Sequence, residues 1–296
     1  MGAGLGLHGV NLPSQYEIRR IQPEHEDWCR ALMLQGMLLR APVWRPIISE
    51  PKVKTILESF QLLESYYTFH FRNGLSYALY DTEYKFKRPE SVKTGGALYW
   101  DEIDIGDPEL EEKGEQLMLE KMDFPIVALA LSYDMFEPPP REAFGTMATV
   151  APLWGAMIAQ YGEATNGIGD FPKPTSSGQY AHRSGCVTRA DYEGQNLGRL
   201  FTWWVMLEMS SRGYQGLAVG AGNSAISRIW LHPDVPFLSK ILMTNDMGQI
   251  EIEMNGEKVL PFREVGFQFN YLLCDLTDRR TRSLPKDPFK TIATGK

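Results

Sequence analysis

Val187-Thr188-Arg189-Ala190-Asp191-Tyr192-Glu193-Gly194-Gln195-Asn196-Leu197-Gly198-Arg199-Leu200 passes from a β-branched end, through a polar turn with glycine, into an apolar run. Gln179 to Thr188 reads as a strand, and Leu197 to Arg212 as a helix that Gly213 closes. Gly216 to Ala221 predicts a second strand, and Asn223 to Leu231 a shorter helix. A strand, a glycine-bearing turn and a helix start have a direct physical use. Backbone amides presented by such a turn, at the positive end of a helix, suit a pyrophosphate. Gly194 and Gly198 alone fit a plain structural turn at least as well, so the order of the flanking elements carries the weight.

Outward from this stretch, Tyr16 to Ile21 alternates apolar and polar residues as a half-buried strand does. Pro23 to Asp27 opens a helix with acidic residues at its positive end. Trp28, Ala31, Leu32, Gln35 and Leu39 then repeat at helical spacing until Pro42. A helix over 52–71 carries the stripe Val53, Ile56, Leu57, Phe60, Leu63 and Tyr67. Leu75 to Phe86 and Ala97 to Ile105 follow as strands. Residues 107–180 break the rhythm and read as a helical and loop insertion, expected to pack beside the sheet and cover one side of a cleft. Within it lie a charged helix over 108–122, apolar Phe124 to Phe136, a triple proline and a helix over 141–161. Gln249 to Met254 and Val265 to Leu276 read as strands, with a turn at Asn255-Gly256. Residues 1–14 form a loose lead-in and 284–296 a flexible tail. Strands interleaved with helices predict one α/β (α+β) domain, a layered architecture.

Composition excludes several classes. The 296 residues are 43% hydrophobic and carry a net charge of -7, a poor match to a phosphate backbone, so nucleic acid is not an expected partner. Cys29, Cys186 and Cys274 are far apart and odd in number, which disfavours a disulfide framework or a zinc site; no metal is expected. No segment reaches the roughly 18 apolar residues of a membrane span. Met1 to Gly6 lacks the basic flank of a secretory signal. A soluble, cytoplasmic protein with no membrane partner is expected, its oligomeric state open.

The run from Val187 to Leu200 resembles motif A of the GNAT superfamily of N-acetyltransferases, in which a strand leads through Gln/Arg-x-x-Gly-x-Gly/Ala into a helix. Ser211 to Val219 is similar to the family's helix end and next strand. Asn223, with Ile226 and Trp230 after it, resembles the family's motif B, and Tyr16 to Leu39 its first strand and helix. The resemblance covers residues 16–105 and 180–276. It implies a mixed central sheet flanked by helices, with 107–180 inserted, and acetyl-CoA or another acyl-CoA as co-substrate. Carried over by position, the CoA-binding residues are Val187, Thr188, Gly194, Gln195, Asn196, Leu197, Gly198, Arg199 and Asn223. Three positions depart from the pattern. Glu193 stands for Arg or Gln, Asn196 for the first glycine, and Trp230 for the tyrosine that protonates the leaving thiolate, which indole does not replace. Asn tolerates positive φ, so the turn survives. A lone carboxylate at Glu193 repels phosphates, and Glu193→Gln is expected to tighten CoA binding by about one pKd unit.

An amine acyl transfer needs a proton acceptor. Asp101 and Glu102, on an expected strand, and His182, on the strand feeding the turn, are the candidates; each also suits a structural role. His232 and Asp234 flank Pro233 in a turn. Tyr66, Tyr67, Phe69, His70 and Phe71 read as core, or as the wall of an apolar acceptor site. The reading that follows is an acyl-CoA-dependent acyltransferase acting on a small, partly apolar acceptor. Two alternatives stay open: a GNAT-fold enzyme turned to cyclisation or hydrolysis of a metabolite, or a non-catalytic binding protein.

Overall fold

A computed structural model describes residues 6, 8–48, 50–254 and 256–277. The chain runs β1 (Tyr16–Arg20), α1 (Glu26–Met33), α2 (Lys52–Ser59), α3 (Glu64–Arg72), β2 (Tyr77–Asp81), α4 (Pro89–Thr94), β3 (Ala97–Leu98), α5 (Leu110–Glu120), β4 (Met122–Asp123) and β5 (Ile126–Asp134). It continues through α6 (Arg141–Val150), α7 (Pro152–Asn166), β6 (Tyr180–Thr188), α8 (Leu197–Ser211), β7 (Gly216–Ala221), α9 (Ser224–Leu231), β8 (Leu238–Asp246), β9 (Ile252–Met254), β10 (Glu257–Val259) and β11 (Gln268–Asp275). Seven strands form one sheet in the order β1-β2-β5-β6-β7-β11-β8. Every pairing in it is antiparallel except β6 with β7.

Each face of the sheet is covered by its own apolar layer. Ala78, Tyr80, Leu129 and Leu131 join Leu32, Tyr67, Met147 and other helix residues in one core. Tyr77, Leu79, Val127 and Ala130 join Phe201, Trp204, Met206 and Trp230 from α8 and α9 in the other. Strand β5 is buried on both faces, which is why its sequence is a continuous apolar run and not an alternation.

The expected mixed sheet flanked by helices is present, with corrections to its parts. Residues 107–180 are not one insertion, because β5 lies between β2 and β6 at the centre of the sheet. Helix α5 and the short strand β4 precede it, and α6, α7 and the loop after them follow it, all outside the seven-stranded sheet. The helix expected over 52–71 breaks at Phe60–Leu63 into α2 and α3. The strand expected over 97–105 shrinks to β3, with Trp100–Glu102 forming a 3-10 turn. Strand β8 was not anticipated. Residues 8–14 are not loose: Val10 and Leu12 are buried against α8, and His8 Nε2 meets Glu208 at 2.8 Å. Residues 1–5, Asn255 and the tail over 284–296 lie outside the described residues.

The first helix departs from regularity in a way that matters below. After α1 the backbone widens into a π-helix over Leu34–Arg40, a rare form that often marks a functional region. Gly36 lies so close to β6 that a Cβ there would fall 2.0 Å from Val187 Cγ2. Relieving that overlap requires the π-helix to move off the strand. Gly36→Ala should therefore destabilise the fold by about 1–3 kcal/mol, read as a lower midpoint in chemical unfolding at unchanged slope; unaltered stability would show that the segment yields freely.

Candidate functional site

The parallel pair β6–β7 is registered only from Tyr180↔Gly216 to Arg183↔Val219. Beyond it, β6 runs on through Ser184 to Thr188 with β5 alone as its ladder partner. The two strands thus part after Arg183 and open a crevice at their carboxyl ends, where α/β sheets hold ligands. From Ser184 onward the edge of β6 that faced β7 offers its backbone groups to that crevice. On the same rim stand the loop after β6 and the residues after β7.

The loop has the form read from the sequence. Strand β6 ends at Thr188, a 3-10 turn spans Ala190–Tyr192, and α8 begins at Leu197. Gly194 (φ 79) and Asn196 (φ 65) both adopt the left-handed conformation, the position at Asn196 being one that asparagine tolerates. The first helical bond runs from Leu200 N to Asn196 O. Among the described residues the amides over 194–199 make no backbone bond, as at any helix N-terminus awaiting an acceptor. Gly198 brings α8 close to β6, since a Cβ there would sit 3.3 Å from Thr188 Oγ1. Val187, Thr188 and residues 194–199 are therefore contiguous along one rim.

Neighbouring side chains hold this loop. Gln195 Oε1 accepts from the Tyr16 hydroxyl at 2.7 Å. Arg199 lies over the Trp203 ring at 4.8 Å. Glu193 is not the lone carboxylate of the sequence reading: Arg40 Nη2 donates to it at 2.9 Å while Nη1 reaches Glu115. The repulsion assigned to Glu193 is thus largely neutralised locally. Asn223, after β7, caps α9 by accepting from Ile226 N at 2.8 Å. Trp230 is 2% exposed and packs in the α8 layer, so it offers no proton to the rim.

On the other side of β6 lies a cavity of about 330 Å³. Its wall includes Met33 and Met37 from the first helix, Tyr66, Tyr67 and His70 from α3, and Phe144 and Trp154 from α6 and α7. Helices α6 and α7 thus close this space from one side. Tyr133, His182, Gly220 and Tyr271 form its floor from the sheet. Of the aromatic cluster at 66–71, Tyr66, Tyr67 and His70 are buried and also line the cavity.

The imidazoles here are neutral. Burial pushes His182 down to about 4, and burial, with His182 nearby, pushes His70 down to about 3. His182 stacks near Tyr133 (5.0 Å) and Tyr271 (5.8 Å), and its Nδ1 has no hydrogen-bond partner among the described residues. His70 Nδ1 meets Ser184 Oγ at 3.1 Å. Burial keeps the surrounding tyrosines protonated, with Tyr66, Tyr133 and Tyr271 all raised. The cavity therefore offers neutral nitrogen acceptors and hydroxyl donors in an apolar setting.

Of the three candidate proton acceptors, only His182 is in this space. Asp101 and Glu102 occupy the exposed turn after β3, outside the cavity wall. Arg88 and Lys121 hold Glu102 and lower its pKa to about 2; it is a surface ion-pair partner. His232 and Asp234 also lie outside the wall. Met37, Tyr133 and Tyr271 were not anticipated as site residues.

The sequence matches no protein-family model and no curated protein. Solved structures do match. The C-terminal condensation domain of Ebony in complex with β-alanyl-dopamine superposes with a TM-score of 0.56 at 12% identity, over 87% of this chain and 97% of that one. A mutant agmatine N-acetyltransferase in its apo form gives 0.53 at 13% identity, over 88% and 99%. Arylalkylamine N-acetyltransferase 2 from Aedes aegypti gives 0.52 at 10% identity, over 89% and 100%. The chain has the GNAT fold.

The depressed histidines make a pH prediction. Because the folded state holds them below their ordinary 6.5, the unfolded chain takes up protons first as pH falls. Stability should be full above about pH 6.5 and decline toward pH 5. Thermal unfolding over this window should show the decline in the native protein and a shallower one in His182→Phe. Equal slopes would place His182 in contact with solvent.

Proposed function

We propose that this GNAT-fold chain is an acyl-CoA-dependent acyltransferase that acylates the nitrogen of a small, largely apolar acceptor. The observation that carries the reading is the position of β6 between two half-sites. Unpaired loop amides lie on the rim at its carboxyl end, and the apolar cavity with His182 lies on its flank. The crevice after Arg183 joins them.

The 194–199 amides and the positive end of α8 fit a pyrophosphate. An acyl-CoA would supply an activated thioester carbonyl. The free edge of β6 beyond Ser184 then offers amides to that carbonyl oxygen. The cavity strips water from the acceptor, which favours an amine bound in its neutral, nucleophilic form. His182, neutral across the physiological range, accepts the proton that the nitrogen loses. The aromatic wall suits an aryl or arylalkyl acceptor, and the likeness to an arylalkylamine N-acetyltransferase supports that class.

Thiol release from acetyl-CoA in the presence of an arylalkylamine panel tests the reading. Amine-dependent release is expected, with His182→Gln lowering kcat by about a hundredfold or more. Absence of release with every amine, together with no CoA binding by calorimetry, would overturn it and leave the loop as an inherited turn. At the rim, Glu193→Gln should alter CoA affinity less than tenfold because Arg40 already pairs the carboxylate. Arg40→Gln, which leaves Glu193 alone at the loop, should weaken CoA more, and the difference should shrink at high salt.

A further inference from the structure

A bulge sets the faces of β6 where it parts from β7. Leu131 pairs with Gly185 and Ser132 with Arg183, so β6 carries Ser184 as one extra residue. Arg183 and Cys186, three apart, therefore share a face of the sheet, and it is the one under α8. Ala130, across the ladder from Cys186, and Val219, across from Arg183, both pack in the α8 layer. The pairing with β7 ends at Arg183, and Cys186 beyond it is exposed, whereas Cys29 and Cys274 are buried. Its thiol stands on the free edge of β6, between the parting and the rim loop, on the side of the sheet opposite the acceptor cavity.

A buried cation backs this thiol. Arg183 is 4% exposed, and its guanidinium bonds to Cys186. Its Nε and Nη1 have no hydrogen-bond partner among the described residues. Arg189 shows the ordinary arrangement for a buried guanidinium, held by Asp191 and by the carbonyl of Phe124. Taking such a cation out of water is costly unless negative charge offsets the loss. Beside Arg183 the group within reach is a sulfur. An accessible sulfur next to a fixed cation is the setting in which a cysteine acts as a nucleophile.

We infer that Cys186 is a thiol-exchange site, at which a CoA disulfide leaves one CoA half bound to the chain through sulfur. The preference for CoA rests on the acyl-CoA reading; the reactive thiol does not. With its pyrophosphate on the 194–199 amides, a CoA arm has the free edge of β6 to run along, and Cys186 lies on that edge. The Cys186 sulfur attacks one sulfur of the disulfide as a thiolate. A new S–S bond forms as the old one breaks, and the second CoA half leaves as a thiolate that takes its proton from water. Cys186 is oxidised, the departing half is reduced, and no other oxidant is needed. The captured half occupies the crevice that an acyl-CoA requires, so the modified chain is closed to its co-substrate until a free thiol reverses the exchange.

Intact-mass spectrometry of the full chain, incubated with CoA disulfide or with glutathione disulfide at equal concentration, tests this. One CoA adduct is expected, mapped by peptide to Cys186, removed by dithiothreitol and absent in Cys186→Ser. It should form about tenfold or more faster than the glutathione adduct, because the rim loop holds the reagent beside the sulfur. Desulfo-CoA, which fills the crevice without a sulfur, should slow it. Arg183→Met should slow it by about tenfold, and Arg183→Lys should retain most of the rate. If Arg183→Met fails to fold, the two rates in the native chain decide alone. No adduct at Cys186, adducts on Cys29 or Cys274 instead, equal rates for the two disulfides, or an unchanged rate in Arg183→Met would each overturn the inference. Capture of CoA at Cys186 without amine-dependent thiol release would keep this site and remove the acyltransferase reading; amine-dependent release by a chain that forms no adduct would do the reverse.

Discussion

One parallel strand pair in an otherwise antiparallel sheet sets the geometry on which the rest depends. Antiparallel neighbours stay in register through hairpins or long returns, and nothing obliges them to separate. Strands β6 and β7 are joined instead by α8, whose apolar side must pack on the sheet, so both strands finish at the same rim. Their pairing lasts four residues and then stops at Arg183 and Val219. The parting supplies backbone groups with no ladder partner, and it does so where a helix begins. A phosphate-binding turn and an access route through the sheet are two results of the same break.

Much of that break was legible because it is written in local signals. Glycine, a polar turn and an apolar helix start adjoin one another between Val187 and Leu200, and the conformations at Gly194 and Asn196 follow from short-range sterics. The strand β5 was not legible in this way. Buried on both faces, its residues lack the period of two that marks a half-exposed strand, and an apolar run of that length also suits a buried helix segment. Asp101 and Glu102 misled for a related reason: the expected strand ends after two residues, and the exposed turn that follows puts both carboxylates at the surface. His182 was legible by type and by its place before the turn. Arg183, next to it on the strand, pairs with Val219 of the α8 layer and so turns to the opposite face.

Desolvation then decides what the assembled groups can do. The same burial that keeps His70 and His182 unprotonated keeps Tyr66, Tyr133 and Tyr271 from losing their protons. In a cavity of neutral donors and acceptors, low polarity strengthens each hydrogen bond that a ligand makes there. Chemistry at the rim follows the opposite rule. Arg40, Glu193 and Glu115 are part exposed, so their influence there is screened and depends on salt.

Arg40 also closes the π-helix whose Met37 and Leu38 belong to the cavity wall, while its guanidinium grips Glu193 in the rim loop. A phosphate that draws Arg40 toward itself therefore pulls on the same turn of backbone that shapes the pocket. Gly36 packs that turn tightly on Val187, leaving little slack for the pull to dissipate. The two ends of the crevice share one mechanical element, and thermodynamic linkage makes the effect mutual: whatever filling one end does to affinity at the other, filling the other does in return by the same factor.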